Sequence, residues 1–160
     1  MREGLPIALV FLTLLPSCAT APGTYAFERS LPYGHPYPDV WAAAVEVATA
    51  DLPVSAIHAN GGVGTITTLE HELSSSDGHH DCGSGRLEYT YGDHLASVSM
   101  VVRELDDGGA TVTVNTRFSA LRFLGWHSRG SEGSRVTCSS TGTLEADLQR
   151  RVRETLERAG

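Results

Sequence analysis

The sequence predicts an α+β fold in which an N-terminal helix, an antiparallel β-meander of about five to six strands and a C-terminal helix pack so that the helices cover one face of the sheet. Three observations predict it. Apolar residues recur at helical spacing just after Pro38 and again from Leu144, and between these two stretches the apolar period falls to two.

The first helix is expected over residues 38–51, where Trp41, Ala44, Val45, Ala48 and Leu52 share one face. Pro38 suits a first helical turn and Pro53 ends the run. Val54 to Ala59 and Val63 to Leu69 then read as a hairpin about Asn60, Gly61 and Gly62. Leu87, Tyr89 and Tyr91 alternate as a third strand turned by Gly92 and Asp93. Val98, Met100 and Val102 mark a fourth, Asp106 to Gly109 a turn, and Val112, Val114, Thr116 and Phe118 a fifth. Arg135 to Ser139 is a short sixth candidate. Leu144, Leu148, Val152 and Leu156 form the apolar stripe of the closing helix, with Thr141 or Thr143 suited to cap it. Acidic residues near its start and Arg158 near its end agree with the helix dipole. Antiparallel strands with helices on one face are the α+β way of burying a one-sided apolar sheet.

Two stretches interrupt the meander. Ser74 to Ser84 is polar, whereas Ser119 to Ser134 is expected as a loop carrying Leu121, Phe123, Leu124 and Trp126. These four either tuck onto the core as a lid or form an exposed contact for a partner or ligand.

Ahead of the domain lie Arg2, an apolar run from Leu5 to Leu15, and then Pro16, Ser17 and Cys18, the three-part layout of a signal peptide over residues 1–17. About 11 apolar residues are too few to cross a bilayer, which needs about 20. Leu15, Ser17 and Cys18 resemble the lipobox of bacterial lipoproteins, and that resemblance implies lipidation of Cys18 and anchorage to a membrane. Ala19 after the cysteine implies, by the same analogy, an outer-membrane lipoprotein facing the periplasm. Ala19, Thr20 and Ala21 offer a competing A-x-A site, whose use gives a soluble periplasmic or secreted protein. Residues 18–37, with three prolines and no apolar period, read as a lipidated tether able to span roughly 23 Å, followed by a single domain over 38–160.

The net charge of −7 runs against nucleic-acid binding, which asks for a basic footprint. All twelve basic residues are arginine, so P-loop, Schiff-base and lysine-activated serine chemistry are excluded. With Cys18 set aside, Cys82 and Cys138 form an even pair that in an oxidising envelope compartment reads as a disulfide. Closing a loop of that length contributes about 4 kcal/mol in the chain-entropy model.

Trp41, the run Gly64 to Thr67, and the run Cys138 to Glu145 leading into the last helix resemble the small helix-grip lipoprotein domains of the C subunit of the outer-membrane β-barrel assembly machine. The resemblance covers about residues 37–158. It implies an envelope location and brings no catalytic residues.

Catalytic patterns fail one by one. His71 and Glu72 begin like a zinc-protease motif, but Ser75 stands where the second histidine belongs. No G-x-S-x-G elbow occurs, and Asp106 with Asp107 is explained by its turn. His79, His80 and Asp81 are weak metal candidates, since adjacent residues rarely converge on one ion; His58, His71 and His94 could join them only if the fold assembled them. The expectation is therefore a non-enzymatic envelope lipoprotein without cofactor or metal, an assembly or scaffolding adapter for an envelope protein partner. A small-ligand or lipid carrier with an apolar cavity is the alternative, and a metal-binding lipoprotein the third reading.

Overall fold

Alternation of small apolar and polar side chains through residues 96–102 and 110–120 makes a ribbon with one greasy face. The computed structural model, which describes residues 20–84, 89–124 and 133–160, builds the domain around that ribbon. Strands β6 (Tyr89–Glu104) and β7 (Ala110–Leu124) pair antiparallel along almost their whole length. Ala96, Val98, Met100 and Val102 of β6 and Ala110, Val112, Val114, Phe118 and Ala120 of β7 all turn to one side and are buried.

Further strands flank this pair. On the β6 side lie β3 (Val63–Thr68) and the two-residue β4 (His71–Glu72), end to end, with β2 (Val54–Asn60) outside β3 at the sheet edge. Positive φ at both Gly61 and Gly62 gives the β2–β3 hairpin the backbone of a tight two-residue turn. On the β7 side lie β1 (Ser30–Tyr33) and β8 (Ser134–Ser140), again end to end, with β5 (His80–Asp81) outside β8. The sheet is antiparallel with eight strands, more than the five to six expected. The additions β1, β4 and β5 are two to four residues long, too short to show a period.

Helices α1 (Tyr37–Asp51) and α2 (Thr143–Ala159) cover the apolar face. Pro38 lies in the first turn of α1, and Leu52 with Pro53 ends it. The fully buried stripe of α1 is Val40, Ala43, Ala44, Val47 and Ala48, with Trp41, Val45 and Leu52 packed at its margin. Its small side chains let the backbone approach the sheet closely. Trp41 lies flat on Gly64 of β3, where any side chain would collide with the indole. Leu148, Val152 and Leu156 of α2 complete the core, while Leu144 is half-buried at its edge. The opposite face of the sheet is polar, with Thr65, Ser97, Thr113, Asn115 and Arg117 facing away from the helices.

Neither Thr141 nor Thr143 caps α2, contrary to expectation. The N-cap is Gly142 at φ 86°, with the Phe27 ring against it, and Thr141 instead donates to the Gly78 carbonyl at 2.7 Å. The first turn is held by Glu145, whose wholly buried carboxylate accepts hydrogen bonds from Thr116 (2.5 Å) and Ser140 (2.7 Å).

The stretch expected as a tether is, from Thr20 onward, a strap docked on the domain. Thr20 bridges to Ser84, the Gly23 amide and Tyr25 hydroxyl both donate to Asp81 at 2.8 Å, and residues 30–33 pair with β7. The Arg29 carbonyl accepts from Val114 and from the Gln149 side chain. Backbone groups and isolated aromatics make these contacts, which leaves no apolar period to read. Cys18 and the expected signal peptide lie outside the described residues.

Candidate functional site

Beside the start of α2, four strands bring sulfur and imidazole groups together. Pairing of β5 with β8 places His80 opposite Ser140 and Asp81 opposite Ser139, which carries Cys82 up to Cys138. Cys82 and Cys138 are joined by a disulfide, with Cα atoms 4.2 Å apart. Cys138 is itself buried and paired in register with Phe118 of β7. The bridge therefore fastens a two-residue edge strand, with little pairing of its own, to its neighbour β8.

His94 reaches the same place through an irregularity. Gly92 and Asp93 were expected to turn the chain between two strands, but they form a bulge inside the single long β6, with Asp93 at φ 45°. A bulge kinks a strand and re-aims side chains. Here His94 Nδ1 comes to 2.7 Å from His80 Nε2, with the two rings 4.8 Å apart. The His80 ring stacks on Phe118, 5.4 Å between centroids.

Burial lowers the pKa of His80, and the neighbouring His94 and His79 lower it further, which favours the neutral form of the His80 ring. His80 Nδ1 is buried without a hydrogen-bond partner. An N–H there would be stranded, so the favoured tautomer keeps the proton on Nε2 and donates it to His94 Nδ1. Cys82 Sγ lies 4.0 Å from the same His94 nitrogen. His80, Cys82 and His94 thus present three metal-ligating atom types within 4.8 Å of one another.

Of the three residues singled out in sequence as metal candidates, only His80 belongs to this cluster. His79 Nδ1 contacts the Thr143 hydroxyl at 2.9 Å. Asp81 faces the strap, and the amide N–H groups of Gly23 and Gly83, followed by the Tyr25 hydroxyl, hold its carboxyl below the usual range. Adjacent strand residues point to opposite faces, which separates His80 from its neighbours. His94, which could join only if the fold assembled it, is brought in by the bulge at Gly92 and Asp93, a pair that the sequence reads as a turn.

The apolar loop expected after Ser119 is also different in kind. Leu121 to Leu124 continue β7 and pair with Gly92 to Tyr89 of β6, prolonging the ribbon beyond the helices. Leu121 and Phe123 are half-buried; Phe123 rests against Gly92 and Gly133, and Arg122 lies over the Tyr89 ring at 5.2 Å. Trp126 and the Leu124 side chain lie outside the described residues.

Among the described residues, the apolar space between helices and sheet is filled by side chains, and the recesses are open to the surface. One, of about 380 Å³, runs between the strap and β7–β8 and is lined by Tyr25, Phe27, Arg29, Arg117 and Ser139. Among the described residues no helix is long and apolar enough to cross a membrane. In comparison with known proteins, no family model matches the chain, and no curated protein matches it in sequence.

Proposed function

We propose that this chain is an outer-membrane lipoprotein, anchored through Cys18, whose single helix-grip-like domain works as a non-enzymatic adapter by taking an extended segment of an envelope protein onto the free edge of β2. The observation that carries this reading is the state of that edge. Among the described residues, strand β2 ends the sheet; it contains no proline or lysine, and His58, Ala59 and Asn60 are exposed together with Ile57, which is 42 % exposed. Sheet edges are normally shortened, charged or covered. An open edge offers backbone groups for strand addition, with alternate side chains supplying selectivity. The carrier alternative draws no comparable support, because the space its ligand would need is occupied by core side chains.

The test is site-specific photocrosslinking of the full chain in native membranes. A photoreactive residue at position 58 is expected to give one adduct of defined mass, absent when the probe sits at Asn115 on the polar sheet face and reduced in a Cys18→Ala background. Equal adducts from positions 58 and 115, or none from 58, would overturn strand addition. Mass spectrometry of the mature N-terminus tests the anchor separately, expecting an acylated Cys18.

A further inference from the structure

The disulfide, together with the two histidines beside it, has the composition of a zinc site whose sulfur ligands are bonded to each other. A tetrahedral zinc ion with Zn–N near 2.0–2.1 Å and Zn–S near 2.3 Å requires its ligand atoms to stand about 3.3 Å apart for two nitrogens, about 3.6 Å for nitrogen and sulfur, and about 3.8 Å for two sulfurs. The corresponding separations here are 2.7 Å for His80 Nε2 and His94 Nδ1, 4.0 Å for His94 Nδ1 and Cys82 Sγ, and 2.00 Å for the bonded sulfurs. The first two lie within about 0.6 Å of the requirement. The sulfur–sulfur separation is far from it, because a covalent bond holds it there.

We propose that His80, Cys82 and His94 form a latent site for a borderline-soft d10 cation, zinc in the first instance, closed by the Cys82–Cys138 disulfide and opened by its reduction. A dithiol reductant delivers two electrons and two protons to the disulfide and is itself oxidised to a disulfide. The S–S bond breaks, and Cys82 and Cys138 become thiols. Zinc then binds Cys82 as thiolate, whose proton passes to solvent, and binds His80 through Nε2 with the proton moved to Nδ1, a shift that requires Nδ1 to gain a partner it lacks in the disulfide form. His94 ligates through Nδ1, and a solvent molecule supplies the fourth position. The disulfide ties β5 to β8, whereas the metal ties it to β6 through His94. The proposal stands apart from the adapter reading, because it concerns the opposite edge of the sheet.

The test uses the purified full chain and zinc alone. After reduction with a non-chelating phosphine under anaerobic conditions, competition against a chromophoric chelator is expected to give one zinc per chain with Kd below about 1 µM. The oxidised chain, and reduced His94→Ala and Cys82→Ser chains, are each expected to bind at least tenfold more weakly. Cobalt in place of zinc is expected to give a thiolate-to-metal charge-transfer band that disappears in Cys82→Ser. If reduction unfolds the chain, Cys138→Ser presents a free Cys82 without reductant and is expected to bind zinc and show the same band. Zinc affinity weaker than about 10 µM in both the reduced chain and Cys138→Ser overturns the site, as does undiminished binding by His94→Ala.

Discussion

The two ends of the β6–β7 ribbon are held by different forces. Where α1 and α2 cover it, Val40, Met100, Val102, Val112, Leu148 and Val152 are excluded from water, and no covalent link is present among the described residues. Where β5 and the strap meet it, the buried cluster is only Ala96, Phe118, Ala120 and Cys138, and the structure is completed by a disulfide, a histidine pair and the hydrogen bonds of Asp81. Burial increases with the number of apolar side chains that can be brought together, whereas a cross-link works on a short loop that brings few. The chain uses each where the other is weak.

The largest effect is expected at the helix-covered end. Met100→Ala removes a fully buried side chain facing α1 and α2, and the loss is expected to be about 2–5 kcal/mol of unfolding free energy in a denaturant titration. Hydrogen exchange is expected to accelerate throughout both helices and the central strands. A loss confined to β5 and the strap would mean that the two ends are not organised as described.

The intermediate effect belongs to the cross-link. Cys82→Ser with Cys138→Ser is expected to lower stability by about 2–4 kcal/mol, chiefly by freeing the unfolded chain. The distribution is the sharper measurement. Amide exchange is expected to rise first in residues 20–29 and 80–84 and least in α1, because β5 has only β8 as a strand partner. Uniform acceleration would instead make the disulfide a support of the whole core.

The same division explains what could be read from sequence. The helix-covered end was legible because burial on one face imposes a period: Leu148, Val152 and Leu156 recur at four, and Val98, Met100 and Val102 at two. The α+β class with terminal helices follows from those periods. At the other end the determinants have no period. His80 and His94 meet across a bulge, Phe27 docks on Gly142, and Pro32 sits in a strand through its pairing with Thr111 of β7. The cysteine pair was legible by its even number alone. The strap, the short strands and the partner of His80 depend on long-range contacts that a local pattern does not encode.

The smallest effect is expected from Asp81→Ala, and it bears on how the strap is fastened to the domain. Asp81 is the point to which the Gly23 amide and Tyr25 hydroxyl are tied, and it also accepts from the Gly83 amide. These bonds lie near solvent, so their removal is expected to cost no more than about 1 kcal/mol globally. Residues 30–33 remain paired with β7 in the variant, which confines the change to the chain ahead of them. Limited proteolysis of the full chain is expected to cut within residues 20–29 at least tenfold faster in Asp81→Ala than in the parent, with the cleavage rate of the remaining domain unchanged. Equal rates in the two proteins would show that Phe27 on Gly142 suffices to hold the strap, and would move the point of attachment from the carboxylate to the aromatic ring.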